Sequence, residues 1–600
     1  MQDKIISLNI SDEIKARLSQ WLTEEYDEDI KNEIKELIEK NNLKEIEDRF
    51  FKDLEFGTGG LRGVIGAGTN RMNKYNIWKA TQGLANYLKN QFRDGRIKVV
   101  IAFDSRHKSD LFSKETAMVL AGNKIQAFLF ESLRPTPELS FAVRHLKAQA
   151  GIVITASHNP PEYNGYKVYW EDGGQIVPPH DKNIISEVNK IAQVSQVQRM
   201  KEKEAIDKGF LKIIGQEVDK AYLQKIKSLS LNPDIIQKVS YQLRIVYSPI
   251  HGSGNLPVRH SLENFGFKNV FVVKEQELPD GNFPTVKSPN PEESEALEMS
   301  INLAKEMKAD FLIATDPDCD RMGVAVRQNN DYVLLNGNQI ASLLCHYILS
   351  QRKDKGLLPD NALIIKTIVT TDLITCIAQN FGVEVYEVLT GFKYIGEKIK
   401  IQDDLKKDGK SYKEYIFGGE ESYGYLAGTF VRDKDAVISS SLFSEMVAYL
   451  KYHNKDVLQY LNDIYSEFGY YTEALKSMTL KGKAGLEKIT QIMERFRTNP
   501  PQSIGPLKVL RIGDILKNAL IDVNTQKVIG NYDLPGSNVL VLDLEKNIKI
   551  SLRPSGTEPK IKFYFAASSQ DTRNLSETRV NVDNLLLESI HHFLDYVKKI

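Results

Sequence analysis

The sequence of 600 residues is poor in cysteine and carries no excess charge of either sign. Its three cysteines, Cys319, Cys345 and Cys376, form no CxxC pair and no even set, which excludes a disulfide-stapled scaffold and favours a reducing compartment. Lysine and arginine total 79, as do aspartate and glutamate, so the basic footprint of a nucleic-acid-binding protein is missing. We therefore expect no nucleic-acid partner and a cytoplasmic location.

Long apolar runs are also missing. No stretch approaches the roughly 18 residues needed to span a bilayer, and the first 20 residues have no apolar signal-peptide region. Neither a membrane partner nor export is expected.

The hydrophobic content of 42% suits several buried cores, and the length suggests roughly four domains. Ile14, Leu18 and Leu22 form one helical stripe near the start, and a second follows between residues 30 and 38. We predict a helical extension over residues 1–50 with no chemistry of its own.

A strand–helix–strand pattern then recurs three times, over residues 97–130, 243–273 and 362–388. It predicts an α/β fold built from three related domains, although any large α/β protein contains such units. The composition changes near residue 475, which predicts a smaller α+β domain at the end. The expected division is a domain 1 over 51–215, a domain 2 over 216–345, a domain 3 over 346–475 and a domain 4 over 476–600.

Three aspartates follow the apolar run FLIAT at alternate positions. In an extended chain, Asp316, Asp318 and Asp320 would place their carboxylates on one side and repel unless a cation lay among them. An all-oxygen ligand set favours Mg²⁺ or Ca²⁺. The alternative is a solvated acidic turn. An EF-hand is excluded, because Arg321 and Arg327 occupy the positions of its glycine and glutamate.

A second polar loop, TASHNPPEYNGYK (155–167), follows another apolar run. Its prolines prevent a helix and display Ser157, His158 and Lys167. Ser157 is a candidate nucleophile, but neighbours in an extended chain point to opposite faces, so His158 need not be its base. The alternative is a hydrophilic surface turn.

Three more loops carry clusters of polar groups. GEESYG (419–424) presents Glu420 and Ser422, which suit the vicinal hydroxyls of a sugar, although the same residues suit a helix N-terminus. RPSGT presents Arg553, Ser555, Gly556 and Thr557, which suit a phosphate group unless they form an exposed turn. FGTGGLRG (56–63) carries Thr58 and Arg62 but matches no nucleotide-binding glycine motif.

Together these loops resemble the α-D-phosphohexomutase family. TASHNPPEYNGYK looks like its phosphoserine loop, DPDCDR its metal loop, GEESYG its sugar loop and RPSGTEPKIKFY its phosphate loop, in the family's order from about residue 56 to 565. The resemblance implies three related α/β domains with mixed sheets around a central cleft, and a C-terminal α+β domain like the TATA-binding protein.

The resemblance also implies an isomerase reaction on a small phosphosugar. Ser157 would carry a phosphoryl group, and Mg²⁺ would be bound by Asp316, Asp318, Asp320 and a phosphoserine oxygen. The phosphoryl group would pass to glucose 1-phosphate, giving glucose 1,6-bisphosphate, and return from its other position to leave glucose 6-phosphate. The metal and Arg62 would neutralise charge on the transferred group.

Further ligand contacts are implied residue by residue. The catalytic set is Ser157, His158, Lys167 and Arg62, with Lys167 and His158 as alternative proton acceptors. The implied substrate-binding set is Thr58, Arg62, Arg321, Thr390, Gly391, Lys393, Glu420, Ser422, Lys434, Arg553, Ser555, Gly556, Thr557 and Lys562. Cys319 stands where the family has small residues, and its thiol would point away from the aspartates but could be open to oxidation.

Other functions remain open on sequence grounds. Within the resemblance, the GEESYG loop with Ser422 is similar to the sugar loop of the glucose-type members, which implies glucose rather than a phosphomannomutase or phosphopentomutase reaction by the same mechanism. A strand followed by DxDxD also suits a phosphatase with Asp316 as an aspartyl-phosphate nucleophile, which would not need Ser157. A monomer and a homodimer are both compatible with the sequence.

Overall fold

The computed structural model describes residues 1–57, 59–93, 95–480, 482–555 and 560–600, and only the backbone of residues 482–484. These residues form two compact units, which we describe separately. Unit 1 comprises Met1–Leu334, Gly396–Asp408 and Gly424–Ala448, and unit 2 comprises Leu335–Ile395, Gly409–Tyr423 and Tyr449–Ile600. Among the described residues, none of the helices is both long enough and apolar enough to cross a membrane.

The first 50 residues are helical, as the apolar stripes predict. The side chain of Ser11 accepts a hydrogen bond from the Ile14 amide and so caps the second helix. Trp21 stacks on Tyr26 with ring centroids 4.6 Å apart, and both rings contact Tyr75 of the following segment. The helices are α1 (Gln2–Ser7), α2 (Asp12–Trp21), α3 (Glu28–Glu39) and α4 (Leu43–Phe50).

The next segment of unit 1 is a six-stranded mixed sheet in the order β1-β5-β4-β2-β3-β6. Strands β2, β3, β4 and β6 run parallel, whereas β5 is antiparallel to β4 and to β1. Because β2 and β4 are parallel neighbours, the loops after residues 103 and 154 leave the same edge of the sheet. The elements are β1 (Gly60–Val64), α5 (Lys74–Gln91), β2 (Lys98–Phe103), α6 (Ser109–Gly122), β3 (Gln126–Phe130), α7 (Thr136–His145), β4 (Ala150–Ile154), β5 (Tyr163–Trp170), α8 (His180–Asn189), α9 (Glu202–Asp207) and β6 (Leu211–Ile214), with a 3₁₀ turn at Val194–Gln196.

A five-stranded mixed sheet in the order β11-β10-β9-β7-β8 completes the α/β part of unit 1. Strand β9 is buried along its whole length, runs parallel to β7, and delivers the aspartate loop at its carboxyl end. The elements are α10 (Gln216–Lys227), α11 (Pro233–Val239), β7 (Arg244–Ser248), α12 (Asn255–Phe265), β8 (Asn269–Val272), α13 (Lys274–Glu277), α14 (Ser294–Met307), β9 (Phe311–Thr315), β10 (Met322–Gln328) and β11 (Asp331–Leu335).

The third strand–helix–strand repeat gives a parallel sheet in which β12 lies between β13 and β14. The expected boundary at residue 345 would cut the first helix of this segment. That helix starts at Gly337, because the Asn336 side chain accepts from the Gln339 amide and forms a capping box. The elements are α15 (Gly337–Asp354), β12 (Ala362–Thr367), α16 (Leu373–Asn380), β13 (Glu384–Val388), α17 (Phe392–Lys407), β14 (Glu414–Gly419), β15 (Tyr425–Ala427), α18 (Ala436–Tyr452) and α19 (Val457–Phe468).

The last segment is an antiparallel sheet with two long helices, the α+β composition expected there. Its first strand begins at Tyr470, before the change of composition near residue 475, and pairs with β23 over ten residues. This strand starts six positions before the expected domain boundary at residue 476, since composition does not mark a strand that pairs with a distant part of the chain. The elements are β16 (Tyr470–Thr479), α20 (Gly482–Thr498), β17 (Ser503–Ile504), β18 (Leu507–Asp514), β19 (Ala519–Asp522), β20 (Val528–Gly530), β21 (Leu540–Leu544), β22 (Ile548–Pro554), β23 (Lys560–Ser569) and α21 (Leu575–Lys599), with a 3₁₀ turn at Glu545–Asn547.

Candidate active site

Ser157 lies in a tight turn directly after β4. Its amide donates to the Thr155 hydroxyl at 2.8 Å, and its own φ is +52°, in the left-handed region that residues other than glycine rarely occupy. The side chain is only 3% exposed. Strained backbone of this kind is concentrated at functional sites, where it fixes the direction of a side chain.

The three aspartates lie together after β9. Asp316, Asp318 and Asp320 are each 0% exposed, and one carboxylate oxygen of each lies within 4.8 Å of the others. The loop is not extended as the sequence reasoning assumed: the Cys319 amide donates to the Asp316 carbonyl, and Cys319 has a φ of +53°. A turn brings the carboxylates together instead. The alternative of a solvated acidic turn is wrong, because all three are buried.

This cluster fits a hard cation. Asp318 Oδ1 and Asp320 Oδ1 are buried and have no hydrogen-bond partner among the described residues. Buried carboxylate oxygens without partners are costly unless a cation binds them. Oxygen donors of this type suit Mg²⁺ or Ca²⁺.

Two lysines neutralise part of the negative charge. Lys167 Nζ on β5 lies 2.7 Å from Asp318 Oδ2 and 3.5 Å from Asp320 Oδ2. Lys434 Nζ lies 2.7 Å from Asp320 Oδ2 and 3.4 Å from Asp433 Oδ1. The side chain of Lys434 also packs against Gly424 at the end of the GEESYG loop, so this lysine contacts both that loop and the metal loop.

The electrostatics of the aspartates are strongly uneven. Burial, together with the neighbouring Asp320 and Asp318, raises the pKa of Asp316 well above its usual range. Burial would also raise the pKa of Asp318, but the Lys167 ammonium more than offsets it and holds that pKa below its usual range. Metal ligands must be deprotonated, so a cation bound at this cluster would favour the ionised form of Asp316.

Ser157 faces this cluster. Its hydroxyl donates to Asp316 Oδ2 at 2.8 Å, and His158 Nδ1 lies 3.5 Å from the same hydroxyl oxygen. Burial, with Arg321 and Arg62 nearby, lowers the pKa of His158 well below its usual range, so its imidazole is neutral. The arrangement places a serine hydroxyl against a cation-binding carboxylate, with a neutral histidine beside it.

Two arginines border the same loops. Arg62 on β1 donates to Asn159 Oδ1 at 3.1 Å. Arg321 follows the aspartates and pairs with Glu292, and its backbone amide donates to Asp316 Oδ1 at 3.0 Å. Arg62 therefore contacts the loop that carries Ser157, and Arg321 contacts Asp316 within the aspartate loop.

The sugar-loop residues lie in unit 2. Glu420 is 6% exposed, and its Oε1 accepts from the Gly391 amide at 2.8 Å, which joins the sugar loop to the turn that holds Thr390 and Lys393. Residues 421–423 form bends after β14 and begin no helix, so the helix N-terminus alternative for this loop is wrong. Thr390, Lys393 and Ser422 are half-buried.

The phosphate-loop residues lie on the last antiparallel strands. Arg553 on β22 pairs with Lys562 on β23 in the strand register, so these two basic residues are neighbours near the end of the strand pair. The Ser555 amide donates to the Lys560 carbonyl at 2.7 Å. Thr58, Gly556 and Thr557 lie outside the described residues.

Sequence reasoning missed several residues that hold this site. Thr136 at the start of α7 donates its hydroxyl to Asp318 Oδ2 at 2.9 Å and its amide to the Asp318 carbonyl. The Tyr169 hydroxyl donates to Asp433 Oδ2 at 2.6 Å, beside Lys434. Arg106, after β2, binds the serine loop. The signal for Arg106 was present, since FDSRH is a polar loop at a strand end in the same repeat.

Cys319 does not match the oxidation expectation. Its side chain is 0% exposed, and burial raises the pKa of its thiol well above the usual value. Reactive cysteines need exposure and thiolate character, so the structure argues against a redox role at this position.

The chain resembles known proteins along most of its length. Residues 53–195, 220–329 and 336–468 match alpha/beta/alpha domains I, II and III of the phosphoglucomutase/phosphomannomutase family. A phosphoglucomutase of Staphylococcus aureus (strain MRSA252) is 37% identical over 91% of this chain and 95% of its own length. Another from strain USA300 is 38% identical over 88% of this chain and 92% of its own length.

Solved structures share the fold at lower identity. A phosphoglucomutase of Paramecium (pp63/parafusin, open form) has a TM-score of 0.65 and 17% identity, over 90% of this chain and 95% of that one. A phosphoglucomutase/phosphomannomutase family protein of Burkholderia thailandensis has a TM-score of 0.61 and 18% identity, over 90% and 97%.

Proposed function

This chain belongs to the phosphoglucomutase/phosphomannomutase family, and from that membership and the geometry of its site we infer that it is a phosphoglucomutase, an isomerase that interconverts glucose 1-phosphate and glucose 6-phosphate. The observation that carries this inference is the Ser157 hydroxyl, 2.8 Å from Asp316 in a buried cluster of three aspartates. The phosphoglucomutase relatives cover nearly the whole chain, which supports glucose as the substrate.

The reaction uses Ser157 as a phosphoryl carrier. The bond between the phosphorus atom and Ser157 Oγ breaks while the 6-hydroxyl of glucose 1-phosphate bonds to the same phosphorus, and the hydroxyl proton leaves to a base. After the bisphosphate turns round, the Ser157 oxygen attacks the phosphorus of its 1-phosphate, and the bond between that phosphorus and the sugar 1-oxygen breaks. The sugar 1-oxygen takes up a proton, and glucose 6-phosphate leaves. Glucose 1,6-bisphosphate is therefore both the intermediate and the compound that loads the serine.

Two residues are candidates for the proton transfers. Lys167 Nζ, which lies 2.7 Å from Asp318 and 3.5 Å from Asp320, is one candidate, and its ammonium also suits a contact to phosphate oxygens. The His158 nitrogen lies 3.5 Å from Ser157 Oγ and suits the proton that this oxygen loses or gains.

Asp316, Asp318 and Asp320 would hold Mg²⁺ together with an oxygen of the phosphorylated Ser157. Bound there, Mg²⁺ would supply positive charge against the developing charge of the transferred phosphoryl group. Arg62 would add positive charge from β1.

Substrate recognition is assigned to unit 2 and to basic residues near the serine loop. Glu420 and Ser422 would bind sugar hydroxyls, with Thr390, Gly391 and Lys393 beside them. Arg553, Ser555, Gly556, Thr557 and Lys562 would bind the phosphate that is not transferred, and Thr58, Arg321 and Lys434 would complete the contacts.

The domain division is proposed with two boundaries moved. We place domain 1 at 51–215, domain 2 at 216–335, domain 3 at 336–469 and domain 4 at 470–600. The Asn336 cap of α15 and the start of β16 at Tyr470 support the moved boundaries.

The test is to incubate the purified chain with Mg²⁺, glucose 1,6-bisphosphate and glucose 1-phosphate, and to follow glucose 6-phosphate by NMR. Peptide mass mapping reads the phosphate on Ser157. We expect turnover and a phosphate at Ser157, and neither in Ser157→Ala.

Ser113→Ala is the matched control, because Ser113 is equally buried but donates only to a carbonyl of its own helix. Phosphate trapped on Asp316 without isomerisation would favour the phosphatase reaction instead. Faster turnover of mannose or pentose phosphates than of glucose 1-phosphate would contradict glucose as the preferred substrate.

A further inference from the structure

Arg106 lies beneath the serine loop, at the carboxyl end of the neighbouring strand β2. Arg106 is 3% exposed, and its guanidinium lies over the aromatic ring of Phe283, with the guanidinium carbon 5.1 Å from the ring centroid. The Asp104 carboxylate accepts from the Arg106 amide and the Ser109 hydroxyl, which fixes the backbone at this point. The guanidinium therefore starts from a rigid position.

All four terminal donors of Arg106 are directed at carbonyl oxygens of one loop. Nη1 donates to Pro160 O at 2.8 Å and to Tyr163 O at 3.1 Å. Nη2 donates to Ser157 O at 2.5 Å and to Asn159 O. One side chain thus binds residues spread over seven positions of the loop that carries the nucleophile.

The charge of Arg106 is only loosely paired. Its Nε lies 3.5 Å from Asp104 Oδ2, and neither atom has a hydrogen-bond partner among the described residues. Burying a guanidinium to bind neutral carbonyls is costly. That cost is reduced by negative groups nearby: Asp318 and Asp316 already interact with Arg106 through space, and a phosphoserine at position 157 would add a further negative charge.

We propose that Arg106 is a positioning residue for phosphoryl transfer. Its guanidinium fixes the carbonyl side of residues 157–163 so that Ser157 Oγ faces Asp316, and it places a permanent positive charge behind the phosphorylated serine. This inference rests on the proposed function of Ser157.

The fork geometry explains why arginine stands here. A planar guanidinium can serve four acceptors at once, whereas a lysine ammonium is a point charge with three donors. Arg106→Lys keeps the charge and loses the fork, and Arg106→Ala loses both and leaves a cavity that free guanidinium can enter. The two variants therefore separate charge from geometry.

The experiment compares wild type, Arg106→Lys and Arg106→Ala in the full chain with Mg²⁺ and glucose 1,6-bisphosphate. We expect kcat to fall roughly 10²-fold in Arg106→Lys, since a misplacement of about 1 Å costs that much, while KM for glucose 1-phosphate stays within about 3-fold because Arg106 is not placed at the ligand. The phosphorus-31 NMR resonance of phosphorylated Ser157 should shift in both variants, and added guanidinium chloride at non-denaturing concentration should restore part of the lost kcat in Arg106→Ala.

Arg49→Lys and Arg49→Ala are the matched controls. Arg49 is also largely buried and binds a carbonyl, that of Ala67, but it belongs to the N-terminal helices. These variants should leave the phosphorus-31 resonance unchanged and show no rescue by guanidinium.

Two results overturn the proposal: kcat within about 3-fold of wild type in both Arg106 variants, or a loss that only follows the folded fraction, with an unchanged resonance and no rescue. If Arg106→Ala does not fold, Arg106→Lys alone decides through kcat and the resonance. A wild-type chain that carries no phosphate on Ser157 after exposure to glucose 1,6-bisphosphate contradicts the proposed function itself, and the role of Arg106 then falls with it.

Discussion

Ser157 and the three aspartates of unit 1 differ from the candidate ligand-binding residues of unit 2 in how completely the protein surrounds them. Ser157 and the three aspartates are at most 3% exposed. In unit 2, Glu420 is the buried member, whereas Thr390, Lys393, Ser422, Arg553, Ser555 and Lys562 are half-buried. The candidate nucleophile and metal ligands are fixed by contacts within the protein. The residues proposed to bind the substrate keep part of their side-chain surface exposed, and this surface can contact the substrate.

The two regions also differ in how they are built. In unit 1, Ser157 Oγ bonds to an aspartate 159 positions away in the chain, and Lys167 and Thr136 bond to Asp318 over similar separations. In unit 2, Arg553 and Lys562 are neighbours across one hairpin. Long-range polar contacts in a buried site act as a unit. Substitutions in unit 1 should therefore act on kcat and those in unit 2 mainly on KM.

The largest effect is expected from the metal loop. Asp318→Asn removes a charge that holds both the proposed cation and Lys167, so we expect kcat to fall about 10³-fold, equivalent to about 4 kcal/mol of transition-state stabilisation. Steady-state kinetics at saturating Mg²⁺ measure it, and calorimetric titration with Mg²⁺ gives a readout independent of turnover. A kcat within about 10-fold of wild type would contradict the expectation that substitutions at the buried residues of unit 1 act on kcat.

Asp310→Asn is the control for this substitution. Asp310 precedes the same strand β9 at its opposite end, where its carboxylate accepts from the Arg244 amide. It should change neither kcat nor Mg²⁺ binding.

A smaller effect, on a different kinetic constant, is expected in unit 2. Arg553→Lys removes a bidentate fork for phosphate, and a charged hydrogen bond contributes about 1.5–3 kcal/mol, so KM for glucose 1-phosphate should rise roughly 10- to 100-fold. The kcat should change less than KM. Initial-rate kinetics over a wide substrate range separate the two constants.

Arg511→Lys is the matched control, since Arg511 lies on β18 of the same sheet and makes an exposed pair with Asp543 at 3.1 Å. Surface pairs of this type contribute little, so its KM should equal that of wild type. A fall in kcat with unchanged KM in Arg553→Lys would remove the distinction between the units.

The sequence predicted the elements of both regions better than their contacts. Apolar periodicity placed the strands and helices of the three repeats, because burial of an apolar face follows directly from spacing. The aspartate loop was predicted correctly as a cluster for the wrong reason. Its members converge through a turn at Cys319, and a left-handed residue other than glycine leaves no mark in composition.

Supporting residues were harder to predict than reacting ones. Arg106 and Thr136 act through partners that are distant in the chain, and nothing in their local sequence names those partners. The strand that starts before residue 475 leaves no mark in composition for the same reason, since the pairing of β16 with β23 joins segments about 90 residues apart. Local sequence patterns predict helices and strands, whereas tertiary contacts decide which strands pair and which distant side chains bind each other.

Stability should respond to pH through Asp435 in unit 1. This carboxylate is 0% exposed and accepts from the Tyr222 hydroxyl at 2.7 Å and the Ile438 amide at 2.8 Å, and burial raises its pKa to about 7. The folded state holds the proton that the unfolded chain loses near pH 4, so the stability contributed by the neutral carboxyl is lost as pH rises towards 7.

Asp435→Asn remains neutral: its Oδ1 can accept from the Ile438 amide, and its Nδ2 can donate to the Tyr222 hydroxyl oxygen. Its Tm relative to wild type should therefore increase between about pH 5 and pH 8, with about 2–4 °C for each kcal/mol. Thermal melts across this range measure the difference. A Tm difference that does not change with pH would show that Asp435 is ionised in the folded protein throughout.

The smallest effect, of opposite sign, is expected from His346 in unit 2. Its Nδ1 lies 2.5 Å from the Tyr460 hydroxyl, the ring packs against Phe381 and Phe468, and burial lowers its pKa to about 4. In the unfolded chain the His346 imidazole binds a proton near pH 6.5, whereas in the folded chain it stays neutral down to about pH 4. The free energy of unfolding therefore decreases as pH falls from 6.5 towards 4. His346→Gln cannot gain the charge, and its Tm should fall less than that of wild type between about pH 7 and pH 5, by about 4 °C. The exposed His591 offers the control, because His591→Gln should leave the acid side of the Tm profile unchanged. If both histidine variants behave alike, the pH response of unit 2 does not come from burial, and the contrast with Asp435 rests on unit 1 alone.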